Sequence, residues 1–348
     1  ANEGEPDIVQ ISGGEPTLHP DFWTVMDLCR AKPIRHRMLN TNGVRIATED
    51  GFAERLAGYG PGFEVYLQFD SLEREPLLAL RGADLRDIRR RALDRLNALN
   101  LSTTLVVTVR AGLNDGELGR IIDFALTQPC VRGVTIQPVQ DAGRVEGFDP
   151  ARHRLTVAGV RRRILEQTSL FRPEDIIPVP CHPDCLAMAY ALKRDGGAIP
   201  LTGLVPPEVL ISGGRNTIVY EGSLIGRGER GEGRGDGGCA TPDLAAALIG
   251  AFSTAHGSGT AAEAVQKLLC CLPGIAGAEP LRYDQVFRVI VMQFLDRHSL
   301  DMRSVRKACV HIAHPDGKRV IPFDTYNLFY RDGLESSVLA PLRAATGL

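Results

Sequence analysis

Short apolar runs recur along the first part of the chain, and amphipathic stretches separate them. The runs are Asp7 to Ile11, Arg37 to Asn40, Glu64 to Phe69, Ser102 to Val109 and Gly133 to Val139. Between them lie Phe22 to Ala31, Glu49 to Ala57, Leu85 to Leu99 and Asp115 to Gln128, whose apolar residues return at helical spacing. Strand alternating with helix in this rhythm predicts right-handed βαβ units and a parallel sheet. With the first run lying close to Ala1, the fold class expected is α/β. The architecture is a partial (β/α)6 TIM-like barrel whose first strand lies upstream of Ala1, with its chemistry at the carboxyl ends of the strands.

The rhythm changes near Asp149. The expected division is therefore a barrel domain over 1–148 and a smaller auxiliary region over 149–348. Arg154 to Gln167, Leu244 to His256 and Ala262 to Leu269 read as helices. Residues 226–238, rich in glycine and charge, read as a linker. Asp284 to Leu295 and Val305 to Ala313 carry mixed strand and helix signals. Pro315-Asp316-Gly317 is a turn signal, so Cys309 to Ile312 and Arg319 to Phe323 are expected to pair as a hairpin.

Candidate chemistry collects where the apolar runs end. Ser12-Gly13-Gly14-Glu15-Pro16 follows the first run: two glycines bare the backbone, Glu15 offers a carboxylate to a cationic amine, and Pro16 stiffens the turn. Taken alone, that run fits either an amine clamp or an ordinary glycine-rich turn. Asn40 to Gly43, Gln68 to Ser71 and Gln137 to Val139 end later runs. Polar side chains at successive strand ends would share one mouth.

Net charge is −2, from 40 basic and 42 acidic residues, which argues against a dedicated nucleic-acid partner. No apolar run is long enough for a membrane span. The eight cysteines are too sparse for a disulfide scaffold in a chain of 348 residues, so a reducing cytoplasm with metal or cluster use is expected. Cys181-His182-Pro183-Asp184-Cys185 is the strongest metal candidate, two thiols in a proline-stiffened loop. Cys309 is the first choice of distant partner, followed by Cys270 or Cys271 and then Cys239. Two packed core cysteines are the alternative reading of Cys181 and Cys185. Cys29 and Cys130 read as packing residues.

The run Ser12 to Pro16, continued through Asp21-Phe22, resembles the GGEP motif of the radical S-adenosylmethionine (SAM) enzymes. The tail narrows the resemblance to the branch that contains tetraether lipid synthase and the archaeal pterin methylase. It carries Val179 to Cys185, Cys309-Val310-His311, Pro315-Asp316-Gly317, Ile321-Pro322-Phe323 and Tyr326-Asn327. The resemblance implies a SAM-binding enzyme that forms a 5′-deoxyadenosyl radical, for C–C bond formation or methylation at unactivated carbon. By analogy Gly13, Gly14, Glu15 and Pro16 hold the methionyl group, and Asn40, Asn42, Gln68 and Asp70 contact ribose, carboxylate or substrate. Cys181, Cys185 and Cys309 would hold an auxiliary 4Fe–4S cluster or zinc. A small-molecule or lipid-like substrate and an electron donor such as ferredoxin or flavodoxin are implied as partners.

Three departures stand out. The CxxxCxxC run that holds the catalytic 4Fe–4S cluster is absent from these residues and is expected upstream of Ala1; after Cys181 and Cys185, the third position is Met188. Ile290 and Asp324 stand where auxiliary cysteines are expected. The alternatives are a radical SAM maturase of a peptide or cofactor, and a non-catalytic barrel-fold binding protein with a structural zinc site.

Overall fold

The structure, a computed structural model, describes residues 8–34, 36–142, 147–179, 182–194, 197–203, 283–314, 317–334, 336, 337, 341 and 344. Asp7, Pro180, Cys181, Cys239, Cys270, Cys271, Pro315, Asp316, the stretch 226–238 and the helices expected over 244–256 and 262–269 lie outside those residues.

Strands β1 (Ile8–Ile11), β2 (His36–Thr41), β3 (Phe63–Gln68), β4 (Thr103–Val109) and β5 (Val131–Pro138) run parallel in chain order. Helices α1 (Phe22–Arg30), α2 (Val44–Thr48), α3 (Phe52–Ala57), α4 (Arg74–Arg81), α5 (Arg86–Ala98) and α6 (Leu118–Thr127) fill the connections, followed by α7 (Pro150–His153) and α8 (Val157–Gln167). The helix expected over Glu49 to Ala57 is two short helices, α2 and α3. Gly51, at φ +78°, turns the chain between them. The protein is thus α/β with a mostly parallel sheet, as the spacing predicts.

The sheet continues past residue 149. Short β6 (Ile177–Pro178), β7 (Leu186–Arg194) and β8 (Gly197–Pro200) precede β9 (Val286–Met292), which lies parallel beside β5. β7 pairs antiparallel with β9 and carries β6 and β8 at its sides. The segment of mixed signals at Asp284 to Leu295 therefore supplies a sixth parallel strand. The expected hairpin is present as β10 (His311–Ala313) against β11 (Val320–Pro322), with Ile312 opposite Ile321. A short helix α9 (Met302–Val305) precedes it. Among the described residues the sheet does not close into a barrel.

Register separates the two faces. Leu39, Val65, Leu67, Leu105, Val107, Val134, Ile136, Phe287 and Val289 point to the helices and form the main core. The opposite face is mixed. Glu64 lies opposite Met38, Tyr66 opposite Thr104, Thr135 opposite Val106, and Arg288 opposite Gly133. Buried on this face, Arg288 of β9 places Nη2 2.6 and 2.7 Å from the two carboxylate oxygens of Glu64 on β3. Three strand spacings in a flat sheet would separate these strands by about 14 Å. The contact therefore requires the sheet to curl with this face inward. Gly133 makes room, because a Cβ there would sit 2.5 Å from Arg288 Cγ. His36 Nε2, 3.2 Å from Glu64, and the Thr104 hydroxyl complete the buried cluster.

Candidate functional site

The carboxyl ends of β1 to β5 and β9 form one rim; hydrogen bonds join the ends of β1 and β2 and of β3 and β4, and Arg89 bridges the two pairs. Gly13, at φ +150°, and Gly14 are exposed, and nothing lies within 4 Å of where a Cβ of either would be. Their main chain is open to a ligand.

Glu15 turns inward from this bend. Its Oε1 accepts from the hydroxyls of Thr17 at 2.6 Å and Thr41 at 2.7 Å and from Thr17 N at 3.3 Å. Its Oε2 accepts from Asn42 N at 2.7 Å. The carboxylate expected to meet the amine thus fastens the loop after β1 to the end of β2. Pro16 opens the short 3-10 turn that Glu15 caps.

Asn40 reaches back across this gap, donating from Nδ2 to Ser12 Oγ at 3.3 Å. Asn42 is committed three ways: its N–H to Glu15, its Oδ1 to Val44 N at 2.9 Å, and its carbonyl to Arg89 Nη1 at 2.5 Å. The Val44 contact starts α2 just after Gly43, whose φ of +76° suits glycine.

Asp70, fully buried and at φ +66°, anchors the next loop. Arg81 grips it with Nε to Oδ2 and Nη2 to Oδ1, both at 2.8 Å, and also reaches Thr108 Oγ1 at 2.9 Å. Gln68 Nε2 donates to Asp70 Oδ1 at 2.9 Å and to Thr108 Oγ1 at 3.3 Å. Arg89 Nη2 stands 3.9 Å from Asp70 Oδ2. Burial pushes the Arg89 guanidinium down to about 10, against the opposing charge of Asp70. Asn114 ties this end to β4 by donating to the carbonyls of Asp70 at 3.0 Å and Thr108 at 2.8 Å.

All eight candidate rim residues are therefore brought together. Glu15, Asn42 and Asp70 hold the loops, while Gly13 and Gly14 present bare backbone and Asn40 and Gln68 stand half-buried beside them. Arg81, Arg89, Asn114 and Glu117 also brace the rim, a role that sequence reasoning passed over. Glu117 accepts from Ser71 Oγ at 2.5 Å and Leu72 N at 3.1 Å, and burial raises its carboxyl above the usual range. Helix periodicity assigns such residues to solvated faces; only a pairing with a strand-end acid would have singled out the arginines.

The cysteines are arranged differently. Cys185 is buried, and burial followed by the charges of Asp324 and Asp184 pushes its thiol up to about 12. His182 and Asp324 are buried nearby. Burial raises the Asp324 carboxyl, against its bond from Leu295 N at 2.5 Å and the pull of His182 and His311. Cys309 is exposed, and its Sγ donates to Lys307 O at 3.4 Å. No group of three His, Cys, Asp or Glu side chains among the described residues is placed to hold a metal ion. Cys181 lies outside the described residues, so the expected set of Cys181, Cys185 and Cys309 is not described as a whole. Cys130 is buried and Cys29 half-buried, in keeping with packing roles. Among the described residues no helix is long and apolar enough to cross a membrane.

The rim thus combines an open glycine bend at the end of β1 with an inward acid that locks it to β2. Residues 1–125 match the family model of the radical SAM superfamily. A 7,8-dihydro-6-hydroxymethylpterin dimethyltransferase of Methanocaldococcus jannaschii is 28% identical over 96% of this chain and 69% of its own length. The mycofactocin maturase MftC of Mycobacterium ulcerans is 37% identical over 34% of this chain and 30% of its own length. A GTP 3′,8-cyclase of Chlorobaculum tepidum is 30% identical over 43% of this chain and 47% of its own length. The chain therefore spans less than half of the last two. Among solved structures, Streptococcus suis SuiB bound to S-adenosylmethionine is similar at TM-score 0.36 and 18% identity, covering 46% of this chain and 33% of that one.

Proposed function

We propose that this chain binds SAM along the rim of β1 to β4 and serves a radical SAM reaction, methylation or C–C bond formation at unactivated carbon of a small molecule. The observation that carries the binding role is the exposed Gly13–Gly14 backbone, held in place by four hydrogen bonds to Glu15. Open carbonyls there would accept from the SAM amine. Asn40 and Gln68 would bond ribose or carboxylate oxygens, and the bonded acids behind them would keep the loops from yielding.

The catalytic 4Fe–4S cluster needs three thiolates spaced CxxxCxxC, and these 348 residues hold no such run. The residues present do not fit the cluster, so the chain's own part is limited to binding and orienting SAM and substrate. When bound, such a cluster supplies the electron that splits a sulfonium C–S bond of SAM. We retain Cys181 and Cys185, with their metal-like spacing, and Cys309 as ligands of an auxiliary site; metal analysis of anaerobically prepared protein would distinguish zinc from iron with sulfide. A reducing cytoplasmic setting and a small electron-transfer partner suit such chemistry.

The pterin dimethyltransferase aligns with nearly the whole chain, whereas the maturase aligns with a third of it. That difference favours a reduced pterin over a peptide as substrate. The test has two parts. Titration of this chain with SAM should give saturable binding. Protein that also carries a CxxxCxxC segment, reconstituted anaerobically with iron and sulfide, should release 5′-deoxyadenosine and methylate 7,8-dihydro-6-hydroxymethylpterin when given SAM and dithionite. Failure to bind SAM would sink the reading. Release of 5′-deoxyadenosine without a pterin product would sink only its substrate.

A further inference from the structure

The rim has a second half, at the ends of β5 and β9, which strand-end reasoning reached only at Gln137. The two loops meet there. Asp141 N donates to Asp296 Oδ2 at 3.1 Å. Asp296 is fully buried; its Oδ1 accepts from His298 N at 3.0 Å and Ser299 Oγ at 2.8 Å, with Arg154 Nη2 3.6 Å away. This frame fixes the backbone of Asp141. Its side chain is held as well: Oδ2 lies 3.0 Å from His298 Nε2 and 3.1 Å from Arg297 Nε. Both contacts fall on Oδ2.

The preceding residue supplies an independent observation. Gln140 is only 7% exposed, and its Nε2 donates to Pro138 O at 3.4 Å. Its Oε1 is buried with no hydrogen-bond partner. A buried acceptor left unpaired costs about 1–3 kcal/mol, which a bound donor would recover. Two consecutive residues at one strand end thus hold a buried acceptor oxygen without a partner, on Gln140, and a partly exposed carboxylate, on Asp141.

We propose that Gln140 and Asp141 recognise the substrate through a ring edge bearing two adjacent N–H donors, the 2-amino-4-oxopyrimidine edge of a pterin. The inference rests on the reduced-pterin reading above and deepens it. A ring N–H beside an exocyclic amino group presents two donors side by side. A lipid chain presents none, and an extended peptide edge offers its donors one at a time. The assignment also divides the rim, with SAM on the ends of β1 to β4 and substrate on the ends of β5 and β9.

The test titrates the full 348-residue chain with 7,8-dihydro-6-hydroxymethylpterin by fluorescence, beside D141N and Q140L, with SAM affinity and melting temperature measured on each. Each substitution should weaken pterin binding about tenfold or more and leave SAM affinity unchanged. The analogue lacking the 2-amino group should bind the unaltered chain about tenfold more weakly, and the two ligands should bind D141N alike. Pterin binding that survives both substitutions would overturn the assignment while leaving the pterin reading intact. An unaltered chain that binds SAM but not the pterin would overturn both.

Discussion

Glu15 is a motif residue whose carboxylate is turned to the chain's own donors. A carboxylate has acceptors only, and here all four partners donate to it. Glu15→Ala leaves the Thr41 hydroxyl and Asn42 N–H without this acceptor. It should cost about 2–3 kcal/mol of stability and lower SAM affinity about tenfold. Glu15→Gln should behave almost as badly, because an amide turns an N–H toward one of those donors. Thermal melts and SAM titrations check both, and an unperturbed Gln variant would show that the acceptor-only geometry is unimportant. Gly43 is a second single-residue case. At φ +76°, a Cβ would also lie 2.5 Å from Leu67 Cδ1, so Gly43→Ala should destabilise by about 1–3 kcal/mol in denaturant melts. The glycines and the acid of the first bend were legible from residue type alone. Arg81 and Arg89 were not, because a helix arginine carries no sign of the buried acid it will meet.

At the scale of elements, the informative strand is β9. Its sequence, VFRVIVM, is a β-branched run interrupted by one arginine, and the interruption blurred its strand signal. The charge is matched by Glu64, 224 positions earlier in the chain, a pairing no local pattern exposes. β7 was missed for another reason: LAMAYALKR is rich in alanine and leucine, residues that suit helices. Burial alone would raise the Glu64 carboxyl, but the Arg288 charge and the bonds from His36 and Thr104 outweigh it and hold it at about 2. A carboxyl depressed in the folded state stabilises above its unfolded value near 4.5, and that stability drains away as pH falls toward 2. Glu64→Gln should therefore cost about 3–5 kcal/mol at pH 7 and flatten the acid limb of the stability curve. The double variant Glu64→Leu with Arg288→Met should be less damaging than either single change, since no buried charge is left alone. A double variant as unstable as the sum of the two would refute the ion-pair account.

For the whole molecule, chain order and sheet order disagree, and the disagreement has a physical consequence. The first five strands follow one another across the sheet, so alternation alone predicted them. The sixth place belongs to β9, and β7 beyond it is reached earlier in the chain. Residues 1–148 without β9 would expose one edge of β5 and leave Glu64 buried without Arg288. An apolar strand edge and an unpaired buried acid both oppose stable folding. A fragment ending at residue 148 should therefore be aggregated or unfolded. A chain in which 204–282 is replaced by a short glycine–serine linker should keep the sheet, because β5, β7 and β9 remain to pair. Solubility, far-ultraviolet circular dichroism and a cooperative melt would separate the two. A soluble fragment that melts cooperatively would mean that β1 to β5 form an independent unit and that β9 is an accessory to it. Under the present account the substrate half of the rim cannot exist in that fragment, since Asp296 and His298 arrive only with the strand that completes the sheet.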